Sequence, residues 1–199
     1  PHATKIQKRL TNHTIKVIKR IQKEGLADIK VAIDGIGIKA AKRWAMTNKI
    51  KTVVTQGPGN LGTKMKRQFL KTQALPSNSH KIPSSILIIG TDLPSISYAD
   101  LTQAIKIINN KEMIIGPSTD GGYWLIGLSK KLLSPLCIWP FSGIRWGTDQ
   151  VLQKTIQLAS LNGINYQLLQ TKNDVDSIID LSQWLDYKSF QLSASSYQL

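Results

Sequence analysis

Apolar residues recur along this chain with two periods, one typical of helices and one typical of strands, and the two kinds of segment alternate. The first segment places Leu10, Val17, Ile18 and Ile21 at helical spacing, with lysines between them, and ends at Gly25. Strands are predicted at 29–33, 50–55, 85–90, 112–115, 123–128 and 164–169. Further helices are predicted at 38–46, 63–75, 97–109 and 148–161, and after residue 177.

The alternation of strands and helices predicts the fold class. Residues 85–90 form a continuous apolar run bounded by turn residues, which is typical of a central strand buried on both faces of a parallel sheet. Ser97 with Asp100, and Ser177 with Asp180, form capping boxes that start two of the helices. We therefore predict one α/β domain, a three-layer sandwich with a mainly parallel sheet, in which ligands bind beyond the carboxyl ends of the strands.

The composition is that of a folded protein from a reducing compartment. Hydrophobic residues make up 41% of the 199 residues, and no apolar run approaches the ~18 residues that span a bilayer. Cys137 is the only cysteine, and no charged-then-apolar signal peptide opens the sequence. We therefore expect a soluble cytoplasmic protein without a membrane span.

The net charge of +14 is concentrated in the first half of the chain. Residues 1–81 carry 18 Lys and Arg against 3 Asp and Glu, whereas residues 82–199 carry 8 against 9. A basic half can attract phosphates, nucleic acid or an anionic membrane surface through its long-range field. The simplest interpretation is a solvated lysine face.

A carboxylate follows the most apolar of the predicted strands. In Gly90-Thr-Asp-Leu-Pro94, Asp92 lies where α/β folds place their functional sites. A carboxylate at that edge suits a hard cation such as Mg²⁺ or Mn²⁺, which binds one or two carboxylates together with substrate phosphates. The alternative is a cap for the next helix, but Ser97 and Asp100 already fill that role.

Two more carboxylates are separated by one residue in Asn173-Asp-Val-Asp176. On an extended backbone Asp174 and Asp176 point the same way and can bind one cation. The alternative is favourable charge at a helix N-terminus. Together with Asp92 they form a group of carboxylates without basic partners, which predicts a metal site made of Asp92, Asp174 and Asp176.

A glycine-rich loop, Gln56-Gly-Pro-Gly-Asn-Leu-Gly62, precedes a predicted helix. Glycines let backbone N–H groups approach an anion at the positive end of a helix, so a phosphate or a base could bind here. The loop lacks the Walker and dinucleotide-binding spacings, and a tight turn is the alternative. The candidate nucleotide-binding residues are Gln56, Gly57, Gly59, Leu61 and Gly62.

Gly116-Pro-Ser-Thr-Asp-Gly-Gly-Tyr-Trp124 also follows a strand and combines small residues, one carboxylate and two aromatic residues. This pattern is typical of a sugar or acceptor loop, although a glycine hairpin turn with Asp120 at its corner fits equally. In Trp146-Gly-Thr-Asp149 the carboxylate opens a predicted helix, where it could interact with first-turn amides. The candidate substrate-binding residues are Asp120, Gly121, Gly122, Tyr123 and Asp149, and Asp120 and Asp92 are the candidate catalytic residues.

The histidines His2, His13 and His80 lie outside these glycine motifs and beside no plausible nucleophile. A mechanism of the Ser-His-Asp or Cys-His type is therefore not expected. Transfer assisted by a metal ion, in which the cation neutralises charge on a leaving phosphate, needs no protein nucleophile and fits the carboxylates better.

In this order, the motifs resemble a bacterial family of GT-A-like transferases, often labelled arsenosugar-biosynthesis glycosyltransferases and related to the guanylyltransferases of cofactor pathways. The residues that carry the resemblance are Thr11-Asn-His-Thr, Gln56-Gly-x-Gly-x-Leu-Gly62, Gly90-x-Asp-x-Pro94, Gly116-Pro-x-x-Asp-Gly-Gly-Tyr123, Trp146-x-Thr-Asp149 and Asp174-Val-Asp176. The resemblance implies a nucleotide-diphospho-sugar transferase fold of the GT-A type, with a nucleotide-sugar donor and a small acceptor. It also implies a metal at Asp92, Asp174 and Asp176, and the nucleotide near the loop at 56–62.

One departure from the family concerns the beginning of the chain. The family normally begins with a strand and a Gly-x-x-Lys-Thr-Arg-Leu loop, and this chain starts after them, so we expect one N-terminally truncated domain over residues 1–199 with a tail at 187–199. The missing strand would leave apolar surface open and favour self-association. Three alternatives remain: a nucleotidyltransferase acting on a small phosphorylated substrate, a non-catalytic remnant, and a basic nucleic-acid-binding protein.

Overall fold

The computed structural model describes residues 2–73, 84–133 and 143–173. Helices and strands alternate along these residues in the predicted order. The helices are α1 (His2–Lys23), α2 (Ile38–Thr47), α3 (Leu61–Gln73), α4 (Tyr98–Ile108), α5 (Lys130–Leu133) and α6 (Val151–Leu161). The strands are β1 (Lys30–Ile33), β2 (Thr52–Thr55), β3 (Ser85–Ile89), β4 (Met113–Pro117), β5 (Tyr123–Ser129) and β6 (Tyr166–Leu168).

The strands form two sheets in the described part of the chain. The larger has the order β3-β5-β4-β6, in which β3, β4 and β6 run in the same direction and β5 runs against them. The smaller sheet consists of β1 and β2, which are parallel. Among the described strands, nothing pairs with the second edge of β1 or of β3.

Side chains alternate between the two faces of the larger sheet, as the pleat of a strand requires. In β4, Met113 and Ile115 point to a core formed with α3, α5 and α6, whereas Ile114 points to a core formed with α1 and α4. Because each face of the sheet is covered by helices, the predicted three-layer α/β sandwich is confirmed.

The position of β3 differs from the prediction of a strand buried on both faces. Only Ile86 of β3 is fully buried, whereas every residue of β4 is. The reason is position in the sheet, because β3 has one described neighbour, β5, and the antiparallel strand β5 takes a place in the middle. Apolar content alone does not distinguish these two positions.

The first capping box is confirmed. The backbone N–H of Asp100 donates to Ser97 Oγ at 3.2 Å, and the backbone N–H of Ser97 donates to Asp100 Oδ2 at 2.8 Å, so α4 starts where the sequence predicts. The second box, Ser177 with Asp180, lies outside the described residues. Among the described helices, none is long and apolar enough to span a bilayer.

Candidate functional site

Asp92 lies three residues after the end of β3, at the carboxyl edge of the larger sheet, as predicted. Its Oδ1 accepts a hydrogen bond from Gln7 Nε2 at 2.6 Å and a longer one from Thr91 Oγ1 at 3.5 Å. Neither donor is charged, and no described Lys or Arg pairs with Asp92. The carboxylate is partly exposed, and no basic side chain of the described residues compensates it. Gln7 was not predicted as part of the site, because its contact with Asp92 joins positions 85 residues apart.

The turn after Asp92 is held by the first helix. His13 Nε2 lies 2.8 Å from the backbone oxygen of Ile96, and Leu93 and Ile96 are buried in the core beneath α1. His13 thus holds the turn against α1. The Thr11-Asn-His-Thr motif is therefore next to the Asp92 turn in space although it is far away in the sequence.

The loop between β4 and β5 turns around Asp120. Asp120 Oδ1 accepts from Ser118 Oγ and, at 2.8 Å, from the backbone N–H of Gly122. The backbone N–H of Ser118 donates to Gly122 O at 3.1 Å, which closes the hairpin. Asp120 therefore has the structural role that the sequence left open, and it is also exposed at the carboxyl edge where β4 ends and β5 begins.

Gly116 and Trp124 connect this loop to the end of β3. A Cβ atom at Gly116 would lie 2.4 Å from the Trp124 ring, so the indole packs directly on the backbone of β4. The Trp124 backbone oxygen accepts from the N–H of Gly90 at 3.0 Å, and Trp124 Nε1 donates to Gln170 O at 3.2 Å. Trp124 thus joins the carboxyl end of β3 to the segment that follows β6.

The segment 146–149 packs against both glycine-rich loops. A Cβ atom at Gly62 would lie 2.2 Å from the Trp146 ring, and a Cβ atom at Gly121 would lie 2.0 Å from the backbone oxygen of Asp149. Gly121 also has a φ of +86°, a conformation that other residues rarely adopt. The structure therefore brings three of the predicted motifs together: the loop at 56–62, the loop at 116–123 and the segment at 146–149.

Asp149 does not open a helix as its position suggested. Helix α6 begins at Val151 with Gln150 as its N-cap, and Asp149 is exposed before it. The first-turn N–H of Leu152 donates to Gly121 O at 2.8 Å. The backbone oxygen of Gly121 thus accepts the first-turn N–H that a carboxylate at the helix start would otherwise bind. Asp149 contacts Gly121 through its backbone.

Tyr123 has its ring in the core between the sheet and α6. The ring meets Trp146 edge to face with centroids 6.4 Å apart. Burial raises the pKa of the Tyr123 hydroxyl well above its usual range, so this side chain is neutral. Tyr123 supports the loop from below, a packing role beside the substrate-binding role predicted for it.

The loop at 56–62 is held by Arg67 of α3. Arg67 donates to the backbone oxygens of Gln56 at 2.5 Å and Pro58 at 2.7 Å, and the side chain of Gln56 donates to Ala32 O in β1 at 3.2 Å. Asn60 Oδ1 caps α3 by accepting from the N–H of Thr63 at 2.9 Å. The amide nitrogen of Gln56 therefore also has a partner within the fold.

The loop residues nearest the start of α3 are differently placed. Leu61 and Gly62 are the first two residues of the helix, and their N–H groups have no partner within it. Leu61 is 54% exposed, and Gly57 and Gly59 have φ values of +77° and +113°. Asp34, which was not predicted as part of the site, follows β1 and pairs with Lys64 of α3 at 2.6 Å.

Lys172 lies between the end of β4 and the turn after Asp92. Its backbone N–H donates to Pro117 O at 3.0 Å and its backbone oxygen accepts from the N–H of Thr119 at 3.1 Å. Its Nζ lies 3.0 Å from Asp100 Oδ2 and 3.4 Å from Ser95 O, and both charged side chains are nearly buried. The strand ends that carry Asp92 and Asp120 are therefore joined by the segment that precedes Asp174.

Asp174 and Asp176 themselves lie outside the described residues, as does Cys137. Within residues 2–73, 84–133 and 143–173, no group of three or more His, Cys, Asp or Glu side chains is close enough to hold a metal ion. The predicted metal site thus has one described member, Asp92.

The family described as "Uncharacterized protein conserved in bacteria (DUF2064)" matches residues 17–148, and the chain belongs to that family. No curated protein matches the sequence. Among solved structures, a "putative nucleotide-diphospho-sugar transferase" from Desulfovibrio desulfuricans G20 is 25% identical, with a TM-score of 0.69 over 87% of this chain and 71% of that chain.

Two more distant structures show the same fold. The Rv0371C complex with manganese from Mycobacterium tuberculosis H37Rv is 18% identical, with a TM-score of 0.54 over 89% of this chain and 86% of that chain. The 4-diphosphocytidyl-2C-methyl-D-erythritolsynthase from Anaerococcus prevotii DSM 20548 is 11% identical, with a TM-score of 0.61 over 90% and 89%. The fold is that of nucleotide-diphospho-sugar transferases, and the resemblance to GT-A-like transferases is confirmed.

Proposed function

We propose that this member of the family is a metal-dependent transferase that moves a sugar from a nucleotide-sugar donor to a small acceptor. The observation that carries the proposal is the carboxylate of Asp92 at the carboxyl edge of the sheet, which pairs with no Lys or Arg in the described part of the chain. Trp124 and Lys172 join this edge to the loop around Asp120. In α/β folds this edge is where ligands bind. The proposal also rests on the similarity to the transferase from Desulfovibrio desulfuricans G20.

The residues at this edge suit a divalent cation. Asp92 offers hard oxygen donors, and its described partners are neutral, so a cation would supply the missing counter-charge. Lys172 Nζ contacts Ser95 O, in the turn that follows Asp92, so residue 172 lies within side-chain reach of that turn. Asp174 follows Lys172 by two residues, which span about 7 Å when extended, and we propose that Asp174 and Asp176 join Asp92 at the metal. A cation bound there would neutralise charge on the leaving nucleotide diphosphate. The manganese in the Rv0371C structure makes Mn²⁺ the first cation to test, with Mg²⁺ second.

The nucleotide is proposed to bind at the loop 56–62. The first-turn N–H groups of Leu61 and Gly62 are free of intrahelical partners and lie at the positive end of α3. Gly57 and Gly59 supply the positive-φ turns of the loop, while Arg67 holds the loop in shape from within. In this proposal the backbone of the loop binds the nucleotide, and Arg67 keeps the loop rigid.

The acceptor is proposed to bind at the loop formed by Asp120, Gly121, Gly122 and Tyr123, with Asp149 beside it. Asp120 Oδ1 is used by the turn, but the carboxylate is exposed and can accept a further hydrogen bond from an acceptor hydroxyl through its second oxygen. Asp120 is therefore our candidate for orienting the acceptor and taking its proton, while Asp92 acts at the donor phosphates.

The decisive experiment incubates the protein with nucleotide-sugars labelled in the sugar or in the phosphate, with Mn²⁺ and a panel of small acceptors. Transfer of the sugar label with release of a nucleoside diphosphate would support the proposal. In a parallel incubation with labelled nucleoside triphosphates, transfer of a nucleoside monophosphate to a small phosphorylated acceptor with release of pyrophosphate would instead establish the nucleotidyltransferase alternative. No turnover, together with no effect of Mn²⁺ and nucleoside diphosphates on the melting temperature, would contradict both.

Ligand binding can be measured separately from turnover. A ligand at about 100 times its dissociation constant adds about 2.7 kcal/mol to stability, so Mn²⁺ and a nucleoside diphosphate together are expected to raise the melting temperature. Because a cation held by Asp92 would also attract the phosphates of the nucleotide, each component alone should have a smaller effect. Additive effects without synergy would contradict the shared site.

A further inference from the structure

The exposed side of α1 is a charged surface that the proposed function leaves unused. The helix contains seven Lys and Arg residues and no Asp or Glu. Its buried side packs on the sheet and α4, so the cations point outward. Five exposed cations follow one line along the helix: Lys5, Arg9, Lys16, Arg20 and Lys23. At ~1.5 Å per residue this line is about 27 Å long.

The charges on this line are largely uncompensated. Glu24 pairs with Arg20 at 3.0 Å, and within the described residues no other cation of α1 forms an ion pair. Lys5 with Arg9, and Lys16 with Arg20, are like charges four residues apart, a spacing at which they repel each other and destabilise a helix. An external anionic surface would remove this repulsion, so α1 favours such a partner.

Helix α2 extends the charged surface. Lys39, Lys42 and Arg43 are exposed on it, and Lys19 of α1 donates to the backbone oxygen of Asn48, which holds the end of α2 against α1. We call the exposed cations of α1 and α2 the basic face. Aliphatic side chains are exposed near these cations: Leu26 after α1, and Ile38 and Met46 on α2, where Met46 is 78% exposed.

We propose that the basic face binds the surface of anionic phospholipid bilayers. Anionic headgroups present negative charge in a plane, which matches a straight line of cations on a rigid helix. Exposed aliphatic side chains such as Met46 and Ile38 can enter the headgroup region, as they do in helices that lie on membranes. Binding to single-stranded nucleic acid relies on aromatic side chains that are free to stack on bases. The partly exposed Tyr98 ring beside this line is covered by the Arg20 guanidinium, 3.9 Å from the ring centroid, and the large apolar side chains that are exposed are aliphatic, which favours lipid over nucleic acid.

The test compares two matched double variants of the full chain by sedimentation with vesicles. Lys16→Gln with Lys23→Gln removes two charges from the basic face, and Lys130→Gln with Lys154→Gln removes two exposed charges from α5 and α6, on the other face of the sheet. Each cation near an anionic surface contributes about fivefold to the partition coefficient. The first variant should therefore bind vesicles of phosphatidylcholine with phosphatidylglycerol about 25-fold more weakly, and the second should bind like the parent.

Further arms distinguish lipid from other partners. Binding should weaken as salt is raised from about 0.1 M to about 1 M, because screening shortens the Debye length from ~10 Å to ~3 Å. No sedimentation with phosphatidylglycerol vesicles, equal sedimentation with pure phosphatidylcholine, or an equal loss for both double variants would overturn the proposal. The proposal would also be overturned if the protein bound a single-stranded RNA more tightly than the vesicles and only the basic-face variant weakened that binding. This result would assign the face to nucleic acid. Circular dichroism of both variants checks that α1 is retained, since Gln and Lys have similar helix propensities.

Discussion

Replacement of Gly121 by alanine tests whether the loop around Asp120 is built against the segment at 146–149. Alanine at a φ of +86° costs about 1–2 kcal/mol in backbone strain. Its Cβ would lie 2.0 Å from the backbone oxygen of Asp149, and forcing an extra methyl into a packed position costs about 1–3 kcal/mol more. The free energy of unfolding should therefore fall by about 2–5 kcal/mol, which for a chain of this size lowers the melting temperature by roughly 4–20 °C.

Gly163→Ala is the matched control. Gly163 also has a positive φ, +64°, but a Cβ there would meet nothing within 4 Å. Only the strain of about 1–2 kcal/mol should remain, and the melting temperature should fall by roughly 2–8 °C. Urea unfolding followed by tryptophan fluorescence measures both variants on the same scale. An equal loss of stability in the two would refute the contact between Gly121 and Asp149.

Three more substitutions test the charged groups of the site and the sheet. Asp92→Asn should abolish the synergy between Mn²⁺ and a nucleoside diphosphate in calorimetric titration without changing the fold. The control variant Asp149→Asn should retain the synergy. Undiminished Mn²⁺ binding by the Asp92 variant would exclude Asp92 as a metal ligand. Lys172→Met should lower the free energy of unfolding by about 3 kcal/mol, since it leaves the nearly buried Asp100 carboxylate without its cation. Lys172→Arg should restore most of the loss. A loss below about 1 kcal/mol in the Met variant would show that the pair behaves as a surface ion pair. The Lys131 ammonium and the Asn165 N–H lower the pKa of Glu112 below its ordinary value of 4.5, so the carboxylate stabilises the folded state above pH 4.5 and this stabilisation is lost as the folded-state carboxyl is protonated. Glu112→Gln should therefore destabilise the protein at pH 7 and cease to do so as the pH falls below 4.5. A pH-independent difference in unfolding free energy would contradict this assignment.

The order of helices and strands could be predicted from the sequence because each element carries its own signal. The period of apolar residues located α1 and β4, and the pair Ser97 and Asp100 located the start of α4. Sheet order carries no such local signal. The apolar run of β3 predicted a buried central strand, yet among the described strands β5 lies between β3 and β4, and β3 pairs with β5 alone. Both positions favour the same apolar residues, so only pairing across the sheet distinguishes them.

The candidate site could be predicted where its parts follow strand ends, because parallel strands bring their carboxyl ends to one edge. That rule identified Asp92 and the loop around Asp120, and glycine content identified the loops at 56–62 and 116–122. It could not identify the partners that shape them. Gln7 reaches Asp92 across 85 positions and Lys172 reaches Ser95 across 77, and neither pair has a spacing that a single sequence reveals.

The packing between the glycine-rich motifs could not be predicted from the positions of the glycines in the sequence. The sequence suggested that the glycines at 62 and 121 leave room for a ligand. The structure shows that the space beside Gly62 is occupied by Trp146 and the space beside Gly121 by the backbone of Asp149. These two glycines therefore dock three loops onto one another, whereas Gly57 and Gly59 meet only the side chains of Arg67 and Thr63 in their own segment. The Cβ side of all four glycines is therefore filled by the protein itself, and the proposed contact with nucleotide phosphates is through the first-turn N–H groups of Leu61 and Gly62. The rigidity of the acceptor loop depends on Gly62 and Gly121.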